Sequence, residues 1–231
     1  MPTPVTLQLL DHIAWHSLTG PQAGVSAGTD RARRYAPGFS PIIAFADTER
    51  PDFAALQPYC EPGEHLYVAG WVGSVPGGWQ VDAESAMLQM VWPGPAPAAD
   101  AAFDCVRLGP IHVPQVLELV ALTKPGPFGP RTLELGEYFG CFDGPRLVAM
   151  AGERMCAGRL RELSGVCTHP NFQGRGLARR LVEKLLRHEL QRGELPFLHV
   201  MKDNANAHRL YQRMGFRDHQ ELTVRVLSRT S

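Results

Sequence analysis

The sequence predicts an α/β fold built on a mixed sheet, and three observations carry that prediction. Strand-like and helix-like hydrophobic patterns alternate after residue 102. Two of the strand patterns meet at Asp143-Gly144, a pair that favours an antiparallel hairpin. A glycine-rich connection, Gln173-Gly174-Arg175-Gly176-Leu177-Ala178, joins a strand to the most amphipathic helix of the chain.

Composition bounds the remaining possibilities. The 231 residues suffice for one large domain or two small ones, and either buries a substantial core. Lys and Arg number 23 and so do Asp and Glu, so no net field draws the chain toward nucleic acid or an anionic membrane. No basic leader with an apolar run opens the sequence, and no apolar stretch is long enough to span a bilayer, which together read as cytoplasmic. Cys60, Cys105, Cys141, Cys156 and Cys167 are odd in number and form no C-x-x-C pair. Neither a disulfide framework nor a zinc site is expected from them, and a reducing compartment fits.

In chain order, residues 39–46, 64–70 and 86–92 read as short strands, and 51–59 as a helix with proline in its first turn. The run Pro93-Gly94-Pro95-Ala96-Pro97-Ala98-Ala99-Asp100 is too rich in proline to be helical and divides the chain near residue 98. Residues 103–108 follow as a strand, then Val113, Val116, Leu117, Val120 and Ala121 mark the buried face of a helix. The loop 124–131 holds three prolines and two glycines, a semi-rigid exposed segment suited to walling a binding site or simply to a structural turn. Residues 137–142 and 146–151 form the hairpin, and 161–168 is the next strand. A helix follows with Leu177, Leu181, Leu185 and Leu186 on its apolar stripe and Gly193 at its stop. A strand at 197–201, a helix ending at Gly215 and a strand at 222–227 complete the order.

The chemistry concentrates at 173–178. Glycines let a ligand approach the backbone closely, and the free amides and positive dipole end of a helix's first turn attract phosphate. An ordinary helix start with tight packing is the plainer alternative. A dinucleotide fingerprint would require a third glycine where Arg179 stands, and no Walker loop occurs. A second segment, Asn204-Ala205-Asn206-Ala207-His208-Arg209-Leu210-Tyr211-Gln212-Arg213-Met214-Gly215-Phe216, follows a strand. The first motif resembles the Q/R-x-x-G-x-G/A signature of the GNAT N-acetyltransferases, matched by Gln173, Gly176 and Ala178. The second resembles the same superfamily's N-x-x-A-x-x-L-Y-x-x-x-G-F helix, matched by Asn204, Ala207, Leu210, Tyr211, Gly215 and Phe216.

The resemblance implies a GNAT acyl-CoA N-acyltransferase fold over residues 102–231, with residues 1–95 a separate, degenerate GNAT-like half-domain. It implies acetyl-CoA as co-substrate, held between splayed strands. Val166, Cys167 and Thr168 would pair with the pantetheine arm, while Gln173, Gly174, Arg175, Gly176, Leu177 and Ala178 would surround the pyrophosphate. Asn204 and Asn206 would approach the arm from the other side. Glu162 is the candidate base for direct amine attack, or a strand glutamate balancing Arg159 or Arg161; Tyr211 is the candidate acid for the departing thiolate, or a core tyrosine. A backbone amide near Cys167 would polarise the carbonyl. A Cys167–His169 nucleophile and base is the weaker alternative, and no metal is implied: His188-Glu189 lacks a second histidine at zinc-protease spacing. The acceptor would be a small amine, an amino acid or a peptide, with no nucleic acid or membrane, in a monomer or homodimer. Residues 125–131, Glu137, Tyr138 and Trp79 are candidates for contacting it. A non-catalytic acyl-CoA sensor and a nucleotide-dependent enzyme are the competing functions.

Overall fold

The computed structural model describes residues 7–99, 102 and 104–230. Helix α1 (Ile13–Thr19) precedes a three-stranded antiparallel sheet of β1 (Ser26–Gly28), β2 (Ala32–Tyr35) and β3 (Ile43–Phe45). Then come α2 (Phe53–Leu56), β4 (Leu66–Ala69) and β5 (Trp79–Val91). Beyond the proline-rich segment lie β6 (Val106–Arg107), α3 (Val113–Thr123), β7 (Tyr138–Asp143), β8 (Arg146–Ala157) and β9 (Leu160–Thr168). The chain closes with α4 (Leu177–Gln191), β10 (Leu195–Met201), α5 (Ala205–Met214) and β11 (Arg217–Arg229).

A second sheet of eight strands takes members from both sides of that segment, in the order β4-β11-β5-β10-β9-β8-β7-β6. β9 and β10 run parallel and their neighbours antiparallel, which is the mixed α/β architecture the sequence predicts. β5 lies between β10 and β11 and pairs with β11 from Trp79↔Arg229 to Val91↔Arg217. The composition break near residue 98 therefore does not separate two sheets. Only the end of β5 was legible as a strand, because residues 80–85 are exposed and their apolar alternation is weak.

Adjacent residues on β10 show how the two faces are covered. Phe197 points into a cluster with Leu10, Ile13 and Leu18 beneath α1, whereas Leu198 points into one with Leu181, Leu185 and Leu186 beneath α4. α4 thus covers one face and the N-terminal residues the other.

Several local expectations are corrected. The strand expected at 103–108 is only Val106–Arg107, with Phe103 outside the described residues. The hairpin turns on Gly144, at φ +56, and Pro145, because Asp143 already pairs with Arg146. Cys105 and Cys141 form a disulfide that ties the approach to β6 onto β7, and Cys60, Cys156 and Cys167 remain as buried thiols. No helix among the described residues is long and apolar enough to cross a membrane.

The sheet order makes a prediction about dissection. Residues 102–231 alone would lose both partners of β11 and one of β10, leaving long unpaired edges. That fragment should lack a cooperative thermal transition and regain one when co-produced with residues 1–99. A cooperative melt of the isolated fragment would show that the C-terminal part stands alone.

Candidate active site

A cleft opens where two strands part. Parallel pairing of β9 with β10 runs from Leu160↔Leu195 to Leu163↔Leu198 and stops there. Just beyond, four residues of β9 (Ser164 to Cys167) face three of β8 (Gly152 to Met150), which is a bulge. Gly165 occupies it at φ +63, and an added Cβ would lie 3.2 Å from the Tyr138 ring, so backbone and packing both select glycine. The resulting cavity of about 370 Å³ is bordered by Val166, Cys167 and Thr168 on one side and by Val200, Asn204 and Tyr211 on the other.

Gly174 and Gly176 have φ of +75 and +76, and a Cβ on either would meet open space. Conformation rather than crowding therefore requires glycine. α4 begins at Leu177, and no side chain among the described residues caps it, so the first-turn amides of Leu177 and Ala178 can receive an anion. Gln173 borders the cavity and its amide reaches the Thr168 carbonyl at 3.5 Å. Arg175 lies over the Phe172 ring and donates to the Asn171 carbonyl. Thr168 Oγ1 is buried with no hydrogen-bond partner among the described residues, and Thr168 borders the cavity. A hydroxyl in that state suits a polar chain lying in the gap.

The two asparagines diverge. Asn204 caps α5 by accepting from the Ala207 amide at 3.1 Å while bordering the cavity. Asn206 is exposed, accepts from Arg209 at 2.6 Å and does not border it, so the expected contact with the pantetheine arm is not supported. Tyr211 is buried against Phe216, and that burial pushes its phenol above the ordinary range and keeps it protonated. The Cys167–His169 alternative fails on geometry. His169 engages Arg146 through Nε2 at 2.8 Å and accepts from the Asn171 amide through Nδ1, while burial pushes the Cys167 thiol up to about 11.

Glu162 is fully buried and every approach to its carboxylate is occupied. It accepts from Arg154 Nε (2.9 Å) and Nη2 (2.7 Å), from the Met155 amide (3.2 Å), and lies 2.8 Å from His199 Nδ1. Burial would raise its pKa, but the Arg154 charge and the hydrogen bonds from His199 and Arg154 outweigh it and hold the value at about 2. So acidic a carboxylate is a poor proton acceptor, which corrects the expectation of Glu162 as the direct base. It balances Arg154, not Arg159 or Arg161.

His199 is what sequence reasoning missed. Its Nε2 lies 3.0 Å from Gln89 Nε2, and the Gln89 carbonyl oxygen accepts from Gln220 at 2.9 Å. With the Gln89 amide so fixed, it donates to Nε2, and Nδ1 carries the proton facing Glu162. The available signal was one imidazole in an otherwise apolar strand, Phe197-Leu198-His199-Val200-Met201, on the face opposite Leu198.

A second cavity of about 300 Å³ adjoins the cleft and shares Met87, Gly126, Pro127, Arg154, His199 and Met201 with it. The 124–131 loop is fastened to the N-terminal residues: Ser40 donates to the Pro127 carbonyl and the Arg131 amide to that of Gly38. Gly129 packs so closely that a Cβ would lie 2.3 Å from the Gly38 oxygen. Glu137, Tyr138 and Trp79 border neither cavity. Glu137 pairs with Arg192, Tyr138 packs on Phe128, and Trp79 packs on Phe53. Among the described residues no cluster of side chains is arranged to hold a metal ion.

The chain can now be set beside known proteins. The FR47-like protein family matches residues 138–226, the span from β7 into β11. A GNAT-family protein of known structure from Novosphingobium aromaticivorans is 36% identical, with a TM-score of 0.88 over 96% of this chain and 99% of that one. An N-acetyltransferase-like protein from Streptococcus suis shares the fold at 14% identity and TM-score 0.62, over 96% and 97% of the two chains. An N-acetyltransferase from Kribbella flavida does so at 16% and 0.56, over 94% and 95%. No curated protein matches the chain. At 36% identity over nearly the whole of both chains, the likeness to the Novosphingobium protein shows that this chain belongs to the GNAT family of acetyltransferases.

Proposed function

We propose that the protein transfers an acetyl group from acetyl-CoA to a primary amine by direct attack within a ternary complex. The observation that carries this reading is a cleft that runs from Gln173, four residues ahead of the uncapped start of α4 at Leu177, past Tyr211 to the His199–Glu162 pair. The thioester carbonyl carbon receives the amine lone pair, and a backbone amide of the diverging end of β9 near Cys167 polarises its oxygen. The amine's proton passes to His199 Nε2, where the amine displaces the Gln89 amide. Glu162 is a positioning residue: it holds the imidazole ring through Nδ1. The C–S bond breaks as Tyr211 donates its proton to the departing thiolate.

The first test is a thermal melt with acetyl-CoA, CoA, NADH and ATP, followed by a CoA-release assay with amines. Acetyl-CoA and CoA should raise the midpoint and the other two should not. A shift with NADH, or none with either CoA species, would overturn the reading, and CoA binding without release from any amine would favour the sensor.

Tyr211→Phe should lower turnover about a hundredfold while leaving acetyl-CoA affinity intact. Unchanged turnover would leave Tyr211 a core residue. His199→Gln should cost about as much near neutrality and recover as pH rises, because the amine then sheds its proton to solvent. A pH-independent loss would remove the base assignment.

Glu162 makes a separate prediction about stability. Its carboxyl titrates near 2 in the folded protein against an ordinary 4.5, so its contribution is present in full above 4.5 and is lost as pH falls toward 2. Glu162→Gln should therefore cost a few kcal/mol at neutral pH, with the gap from wild type closing across that acid window. A gap independent of pH in denaturant titrations would refute the ion pairing.

A further inference from the structure

The geometry points to the second cavity as the acceptor site, and to a primary amine borne on an uncharged apolar body as its substrate; this rests on the acetyl-transfer reading above. The floor is one face of four neighbouring strands, read off the register. Tyr67, Val226 and Ala83 lie side by side in one row, and Ala69, Val224 and Ser85 in the next. Leu222, Met87 and Met201 follow across β11, β5 and β10. The row after that is polar throughout: Gln220, Gln89 and His199. An apolar floor thus ends in a hydrogen-bonded row, and the last member of that row is the imidazole at the cofactor cleft.

The roof comes from the N-terminal residues. Leu10, Ile13 and Trp15 descend from the α1 region, with Ile42 from just before β3 and Phe45 from its end, and Gly126 and Pro127 close the end beside the cleft. The cavity's size is at the small end of known ligand sites and its walls are chiefly apolar, as in those sites.

Charge decides which amines fit. Of the ionisable residues bordering the cavity, Arg154 is held by Glu162 and His199 faces the same carboxylate. Asp11 and His12 are exposed at the rim, where Asp11 accepts from Gln220 at 3.3 Å. No carboxylate stands along the floor to receive a second cationic centre, and burying one without a partner is costly. Polyamines and lysine side chains beside other charges are therefore the poorer acceptors. A monoamine lays its apolar body on the valine and methionine rows with its nitrogen at His199. The N-terminal residues, which carry neither family motif, thereby set acceptor choice.

The test uses the full-length protein saturated with acetyl-CoA and compares ethylamine, butylamine, hexylamine, 2-phenylethylamine, spermidine and lysine amide. kcat/KM should rise about fourfold per added methylene. Hexylamine and 2-phenylethylamine should exceed spermidine and lysine amide at least about tenfold, the discrimination a single mismatched group gives in such a pocket. Val224→Asp should raise KM for 2-phenylethylamine by a similar factor while the acetyl-CoA thermal shift persists. Because a charge on the floor can also disturb the sheet, a second variant, Val226→Phe, fills the cavity without charge and should lower kcat/KM for hexylamine at least about tenfold more than for ethylamine. A flat alkylamine series, or preference for spermidine or lysine amide with the acetyl-CoA shift retained, overturns the acceptor assignment and leaves acetyl transfer standing. No acetyl-CoA shift and no turnover with any amine overturns both.

Discussion

The pairing of β5 with both β10 and β11 is the constraint on which the rest of the molecule depends. A strand from the first hundred residues fills the slot between two strands from the last forty, so neither part completes its sheet without the other. The same insertion carries Gln89 to His199 and Met87 to Met201. It also brings the floor of the second cavity up to the edge of the cofactor cleft. Cleft and cavity are adjacent because one strand is long enough, at 13 residues, to border both.

A second constraint acts through charge. Arg154 and Glu162 sit on neighbouring strands β8 and β9, nearly out of contact with water, where an isolated charge would cost far more than the fold could supply. Each is tolerable because the other is present at bonding distance, with the Met155 amide and the His199 ring taking up the remaining acceptor capacity. The neighbouring Gln89 and Gln220 amides extend the satisfied network toward solvent at Asp11. Replacing any member by an apolar residue leaves a buried partner unsatisfied, so geometry at His199 is specified by the whole chain of bonds.

What was legible in the sequence follows from where the information is local. The glycines at 174 and 176, the cap at Asn204 and the stripe of α4 are decided by backbone angles and by neighbours within a few residues. Each reads directly. The role of Glu162 was not readable, because it depends on Arg154 and His199, eight and 37 positions away in the chain. Asn206 matched no position of the family motif, and its amide is engaged by Arg209, one helical turn away. β5 hid for a different reason. Gln89 and Met90 near its end are fully buried, while residues 80–85 lie exposed and show too little periodicity to announce a strand. The Cys105–Cys141 bond was invisible to spacing rules, since it joins positions 36 apart that only the β6–β7 pairing brings together.

The two cavities divide the problem of acyl transfer by polarity. The cleft between β9 and β10 presents a Thr168 hydroxyl that has no partner among the described residues and the Gln173 amide, polar groups that fit the proposed cofactor. The adjoining cavity presents methyl and methionine side chains. On the proposed reading, an amine crossing from the second into the first would give up its proton where the polarity changes, since a cation is disfavoured on the apolar side and a protonated amine cannot attack. His199 stands at that boundary, bordering both spaces, with its other nitrogen against a carboxylate kept charged by Arg154. The position of the proposed base is thus a consequence of the register: the single row across β11, β5 and β10 that is polar throughout is the one that meets the point where β9 and β10 part.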